Sequence, residues 1–443
     1  MKVKRSNIVR LTVNGIVCFF ICVLSLKAQD KGPNIILIMA DDLGMECIEA
    51  YGGTSYKTPH INKLAMQGIQ FENCHAQPVC TPSRVQIMTG KYNVRNYTRF
   101  GELDRSQITF GNLLKNTGYK TAIAGKWQLG KEEDSPQHFG FDASCLWQQS
   151  RPRFDSLRHD TRFSNPVLQI NNKVQHFTNG EFGPDIVSDF ICDFIEENKN
   201  EQFFAYYPML LAHYPFVPTP DSKDWDSKSM GSLINKGDPK YFADMVAYMD
   251  GIVGKIVAKV ESLDLSENTI IIFTGDNGTE KLITSMLNGK DYPGGKTRTT
   301  DNGTHVPFVA RWDGKIKPNT KSSDLIDFSD ILPTICDIAN ADIPSEFVVD
   351  GTSFLPQLLA ERGTSRKWIY SWYSPHGNLR VLKEFTRNKE YKLYSTGKFY
   401  NVKDDFYEKN PLPMAGLSEK ERQVYKELKN ALKIYKLARV EKK

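Results

Sequence analysis

The chain has 443 residues, 40% hydrophobic and 25% charged, with a formal net charge of +5. That balance describes a soluble globular protein able to bury a large core, as one big domain with a smaller appendage. The positive charge is spread out, with no basic tract, so nucleic acid is not an expected partner and a small anionic group is the better-matched ligand.

The N-terminus reads as an export signal, with "MKVKRSNIVR" supplying charge and "GIVCFFICVL" an apolar run too short to span a bilayer. Cleavage is expected after Ala28, leaving no stable membrane anchor and a periplasmic or secreted protein. Of eight cysteines, Cys18 and Cys22 depart with the signal; Cys47, Cys74, Cys80, Cys145, Cys192 and Cys336 remain, without CxxC spacing. No disulfide framework is readable from them.

"NIILIMADD" is a short buried strand ending in Asp41 and Asp42, and "TPHINKLAMQG" is a helix with Thr58 as cap and Pro59 in first position. A second helix starts within "CTPSR", just after Cys80, with Thr81 or Ser83 as its cap. "ITFGNLLKNTG" is a helix closed by Gly118, "YKTAIAG" a strand, "DIVSDFICDFIEENK" a helix with Cys192 as a buried thiol, and "FFAYYPML" a strand. The long helix "YFADMVAYMDGIVGKIVAKVESL" and the strand "TIIIFTGDNG" follow. Strands separated by helices of this length predict an α/β fold, a mainly parallel sheet covered on both faces. Residues 144–182 and 221–240 are polar and read as long surface loops. The character changes near "VDGTSFLPQLLAERGTSRKW", so the expected organisation is a signal at 1–28, an α/β domain at 29–355 and a small α+β domain at 356–443.

In such a sheet, ligands bind beyond the C-terminal strand ends. That rule selects Asp41 and Asp42 after the first strand, and Asp276 and Asn277 after "TIIIFTG". Four oxygen donors without histidine suit Ca²⁺, or Mg²⁺, better than zinc; the alternative is helix caps and turns. Cys80 sits at a helix N-terminus with Arg84 one turn on, a place that stabilises an anion. Position alone leaves three readings open for it: part of an anion site, a core cysteine, or a low-pKa thiolate nucleophile.

"CTPSR" resembles the C-x-P-S-R signature of the sulfatases, and "GKWQLG" at 125–130 is similar to their second signature. "ADD", "AHYPF" with His213, "GDNG", "GGKTRTTDNGTHVPFVARW" with Lys296 and "DGTSFLPQL" follow in the family's order. The resemblance implies hydrolysis of sulfate esters through a formylglycine that a maturing enzyme makes from Cys80. It implies Ca²⁺ held by Asp41, Asp42, Asp276 and Asn277 together with the modified Cys80. Arg84 would steady the aldehyde hydrate, Lys126 and Lys296 would clamp the sulfate oxygens, and His213, alone or with Lys296, would protonate the leaving alcohol.

Two positions depart from the pattern. Gln128 stands where the second signature commonly has histidine, and Gln cannot accept the proton of sulfate release; it can orient a hydroxyl. Near "TDNGTHVP", Asp301 and His305 replace a glycine–arginine neighbourhood, which makes His305 a candidate substitute base beside the substrate. The rival enzyme readings are phosphate or phosphonate ester hydrolysis on the same fold, and the rival outside enzymes is a binding protein that lost its base at Gln128. Export and the loop residues Arg151, Arg153, Arg158 and His159 favour a sulfated sugar or polysaccharide fragment as substrate.

Overall fold

The computed structural model describes residues 32–233 and 237–439. The expected signal segment and its cleavage point lie outside them. No helix among the described residues is long and apolar enough to cross a membrane.

Among the described residues, twelve strands precede residue 330: β1 (Asn34–Ala40), β2 (Ile69–His75), β3 (Lys120–Lys126), β4 (Ala143–Trp147), β5 (Val167–Ile170), β6 (Lys173–His176), β7 (Phe203–Pro208), β8 (Thr269–Gly275), β9 (Thr284–Leu287), β10 (Lys290–Pro293), β11 (His305–Arg311) and β12 (Thr320–Asp327). Ten of them form one sheet in the order β12-β2-β11-β8-β1-β7-β3-β4-β5-β6. Its centre is parallel, β8-β1-β7-β3-β4, as the alternating pattern predicts. β11 runs antiparallel to both neighbours, and β5 and β6 add an antiparallel edge. Those two strands, and most of β4, fall inside the stretch 144–182 read as loop, because runs of four or five residues carry too little periodicity to stand out.

β1 shows why the sheet is central. All seven residues are buried; Ile35, Leu37 and Met39 enter one core, and Ile36, Ile38 and Ala40 the other. A strand apolar on both faces needs a layer on each side. Helices Gly183–Glu197 and Phe242–Ser262 cover one face, while Cys80–Thr89, Phe110–Asn116 and Ile331–Ala339 cover the other.

Helix starts differ in detail from the sequence reading. Pro59 is the first residue of its helix, but the Thr58 hydroxyl accepts from Glu49 N and donates to Asn62 instead of capping. The second helix begins at Cys80 itself, after Val79, with no side-chain cap. Its first-turn hydroxyls are engaged elsewhere, Thr81 with Gln128 and Ser83 with Gln77.

Beyond residue 355 a second sheet forms from β13 (Ile369–Tyr373), β14 (Lys383–Arg387), β15 (Tyr391–Tyr394) and β16 (Phe399–Asn401), an antiparallel meander. Helix Glu419–Ile434 packs on it, opened by a capping box between Ser418 and Glu421. The six described cysteines are all free and buried.

Candidate active site

β3, β7, β1 and β8 are parallel neighbours, so their C-terminal ends share one rim. Lys126 is the last residue of β3; Asp41 and Asp42 follow β1; Asp276 and Asn277 follow β8; His213 lies in the segment after β7. Lys296 and the Cys80 helix close over this rim. Every one of these side chains is buried.

The polar atoms form one network. Lys126 Nζ donates to both oxygens of Asp41, at 2.8 and 3.0 Å. Lys296 Nζ donates to Asp42 Oδ2 at 2.5 Å. Arg84 reaches Asp276 Oδ2 at 3.5 Å and the Lys126 carbonyl at 2.8 Å. Asp276 Oδ1 accepts from Asp42 N at 3.0 Å, and Asn277 Nδ2 donates to Asp42 Oδ1 at 2.9 Å. Three buried carboxylates therefore face three buried cations. Burial opposes ionisation of Asp41, but Lys126, Arg84 and Lys296 together hold it below the usual carboxylate range. Burial pushes Asp276 well up, and the Asp41 charge beside it adds to the rise.

The oxygens fit a hard cation. Asn277 Oδ1 is buried with no hydrogen-bond partner, an acceptor with nothing to accept from unless a ligand supplies it. Asp41, Asp42 and His213 offer ligand atoms within 4.8 Å of one another. His213 is the weakest of these donors. Its Nδ1 lies 2.5 Å from the Tyr214 carbonyl, so Nδ1 carries the proton and Nε2 accepts from Lys296 at 3.1 Å. Burial, then Lys296 and Lys126, push its pKa well down, so the ring is neutral.

Cys80 Sγ donates to Gln128 Oε1 at 3.0 Å, and the Thr81 hydroxyl donates to the same oxygen at 3.1 Å. Gln128 takes a left-handed backbone conformation, φ +54°, just past β3. Burial pushes the Cys80 thiol up; Lys126 pulls the other way, and Asp41 and Asp276 raise it further. A low-pKa thiolate nucleophile is thus the poorest of the three sequence readings. Arg84 Nε is a buried donor without a partner.

His305 is not brought into this network. Its Nε2 contacts the Glu72 carbonyl at 2.8 Å and its ring lies 4.9 Å from that of His75, while Asp301 pairs with Arg387. Two of the four loop residues are committed elsewhere: Arg153 binds Asp160 at 2.8 Å and the Tyr214 carbonyl at 3.2 Å, and His159 faces Asp155 at 3.2 Å. One residue the sequence reading did not select is Tyr373. It packs on Cys80 from the end of β13, and its hydroxyl is buried with no partner. No motif surrounds it; only the fold joins a tyrosine so distant in sequence to Cys80.

Comparison with known proteins bears on family and fold. The family model described as Sulfatase matches residues 33–341, and one described as N-sulphoglucosamine sulphohydrolase, C-terminal, matches 296–442. An N-acetylgalactosamine-6-O-sulfatase of Bacteroides thetaiotaomicron is 29% identical over 416 residues, spanning 77% of this chain and 79% of that protein. Among solved structures, Ps i-CgsB superposes with a TM-score of 0.76 at 22% identity, covering 93% of this chain and 94% of its own. BT4656, solved with its substrate D-glucosamine-2-N,6-O-disulfate, gives 0.74 at 22% identity, covering 92% and 98%.

Proposed function

Because the chain belongs to the sulfatase family and is a sulfuric ester hydrolase, we propose that it removes sulfate from sugars through a formylglycine made from Cys80, beside a divalent cation. The observation that carries this reading is the convergence of Asp41, Asp42 and Asp276 with Arg84, Lys126 and Lys296 around Cys80 Sγ.

Asp41, Asp42, Asp276 and Asn277 would hold the cation, and Ca²⁺ suits four oxygen donors best. That ion would lower the pKa of a hydroxyl on the modified Cys80 and offset the negative charge of the ester. Among the described residues, one group of histidines, cysteines and acids could hold a metal, which favours a single-ion sulfatase over a two-zinc phosphoryl hydrolase. The hydrated aldehyde would supply one hydroxyl to attack sulfur as the bond to the alcohol oxygen breaks, and a second that would lose its proton to water as the C–O bond carrying the sulfate breaks, releasing sulfate and restoring the aldehyde.

The chain's own residues then have separable tasks. Lys126 and Lys296 place their amino groups beside Asp41 and Asp42, where they can hold sulfate oxygens as charge develops. Arg84 is pinned by Asp276 and the Lys126 carbonyl, which leaves Nε free to donate to an oxygen at position 80. Neutral His213 accepts from Lys296, so the pair holds one proton for the leaving alcohol oxygen, with Lys296 as its carrier. Gln128 accepts from Cys80 and Thr81; it orients the nucleophile and does not take up its proton.

Relatives named for 6-sulfated N-acetylgalactosamine make sulfated amino sugars the first substrates to try. Export through the N-terminal signal, maturation by a partner enzyme, and a catalytic domain ending near residue 355 belong to the same proposal. The test is peptide mass spectrometry over Cys80 after co-expression with a maturing enzyme, alongside sulfate release from sulfated saccharides. An aldehyde at Cys80 with activity lost in Cys80→Ala is the expected result. A plain thiol at Cys80 in fully active enzyme would overturn the reading.

A further inference from the structure

The C-terminal sheet does more than cover the core. Its pairing register places Tyr373 opposite Lys383, Phe385 opposite Tyr394, and Lys392 opposite Tyr400. Directly opposed residues share a face, and alternate residues along a strand do too. Tyr373, Lys383, Phe385, Tyr394, Lys392 and Tyr400 therefore line one face of the sheet. At one end of that face Tyr373 packs on Cys80.

Further along lies a cavity of about 480 Å³, within the range that holds a small ligand. Arg298, Lys383, Lys398, Tyr394, Tyr400 and Tyr407 line it. Two chain connections tie it to the reaction centre: Lys383 is the cross-strand partner of Tyr373, and Arg298 lies two residues past Lys296.

The floor of the cavity is prebuilt. Glu408 accepts from Lys392 at 2.7 Å and from the Tyr394 hydroxyl at 2.5 Å. Tyr394 also meets Thr299 at 2.9 Å, and Lys392 donates to the Thr299 carbonyl. These contacts neutralise the one acid lining the cavity. Arg298, Lys383 and Lys398 are exposed and make no ion pair among the described residues; Asp291, which opposes Arg298 at Tyr407, and Asp405, which acts on Tyr400, are acids near the cavity that do not line it. The walls thus combine unpaired cations with tyrosine rings, which suits a sugar carrying negative charge: rings pack against its C–H faces while cations meet its anionic group.

We propose that this cavity is a subsite for an anionic sugar unit joined to the one whose sulfate is removed, its carboxylate or second sulfate held by Arg298, Lys383 and Lys398. The proposal rests on the sulfated-sugar reading above and narrows it to acidic oligosaccharides.

The experiment compares kcat/KM for one sulfated hexosamine alone and linked to a neutral hexose, to a hexuronate, or to a sulfated hexose. It uses the matured enzyme and the double variant Lys383→Ala, Lys398→Ala, whose side chains are exposed and leave the fold intact. The native enzyme is expected to favour either acidic disaccharide over the neutral one by about tenfold or more, mainly through KM. The double variant should lose most of that preference, a change of order one decade for two charge contacts. A preference for the hexuronate alone identifies a carboxylate site, and for both acidic forms a general anion site. Equal use of neutral and acidic disaccharides, or a preference that survives the double variant, overturns the proposal. If no substrate releases sulfate, the sulfated-sugar reading itself fails. Calorimetry with the hexuronate disaccharide on Cys80→Ala protein, with and without the lysine substitutions, then decides the cavity's role: tighter binding with both lysines supports it and equal affinity overturns it.

Discussion

Gln128 stands where the signature that the sequence resembles commonly has histidine, and its contacts suit an orienting task. One carbonyl oxygen accepts from both Cys80 and Thr81, so the amide fixes where the group at position 80 points. Replacing it with alanine is expected to lower kcat about tenfold with little change in KM, as loss of one positioning hydrogen bond would. A silent Gln128→Ala would remove the orienting role. A second residue-scale effect concerns stability. Glu46 lies beneath the site, accepts from Thr279 at 2.5 Å, and has its other oxygen buried without a partner. Burial pushes its carboxyl up to about 7 from 4.5. A folded-state pKa above the unfolded value contributes stability that is complete below about pH 4.5 and is lost as pH rises through 7. The loss is on the order of 3 kcal/mol for a fully buried group. Melting curves should therefore show Glu46→Gln gaining on the native protein between pH 5 and pH 8, and parallel curves across that window would contradict the assignment.

At the scale of elements, the site depends on how closely β3 approaches β7. Gly125, just before Lys126, has φ +124°, and a Cβ there would lie 1.9 Å from the Pro208 carbonyl oxygen. Only glycine fits, and the close contact sets the rim on which Lys126 faces Asp41. Gly125→Ala is expected to cost about 3 kcal/mol or more and to reduce sulfate release in whatever protein folds, because Lys126 moves with its strand. A melting temperature within a degree of the native value would refute the packing argument.

The same elements differ in how legible they are in the amino-acid sequence. The six-residue apolar run of β1, Ile35 to Ala40, and the acids that follow it stand out because a doubly covered strand has no polar face to blur the pattern. Asp276 and Asn277 stand out for the same reason at β8. The edge strands β5 and β6 do not, being short and partly exposed, and His305 is misleading: its strand β11 pairs with β2, which turns the ring toward His75. The Tyr373–Cys80 contact is a product of chain return and leaves no local trace.

For the whole molecule, charge balance bears on metal removal. Asp41, Asp42 and Asp276 are each already held by Lys126, Lys296 or Arg84, so the packing of the buried site does not depend on an ion. Chelation is expected to abolish sulfate release while shifting the melting temperature by only about a few degrees; unfolding upon chelation would mean the ion is structural. The C-terminal sheet raises a larger question, whether residues 356–443 are a separable unit or part of one cooperative body. Tyr370, Trp372 and Tyr435 are buried in the main hydrophobic core with residues of β1 and β2. Arg366 pairs with buried Asp330 at 2.5 Å, so removing it strands a carboxylate. Three buried aromatics, at about 150–250 Å² each and about 25 cal/mol per Å², contribute on the order of 10 kcal/mol or more. That is comparable with the whole net stability of a typical domain, about 5–15 kcal/mol. The boundary near residue 355 is then one of topology, and the two sheets should melt together in one calorimetric transition. A chain ending at residue 355 is expected to bind hydrophobic dyes and show no cooperative unfolding, whereas a sharp transition in that fragment would establish an independent catalytic domain.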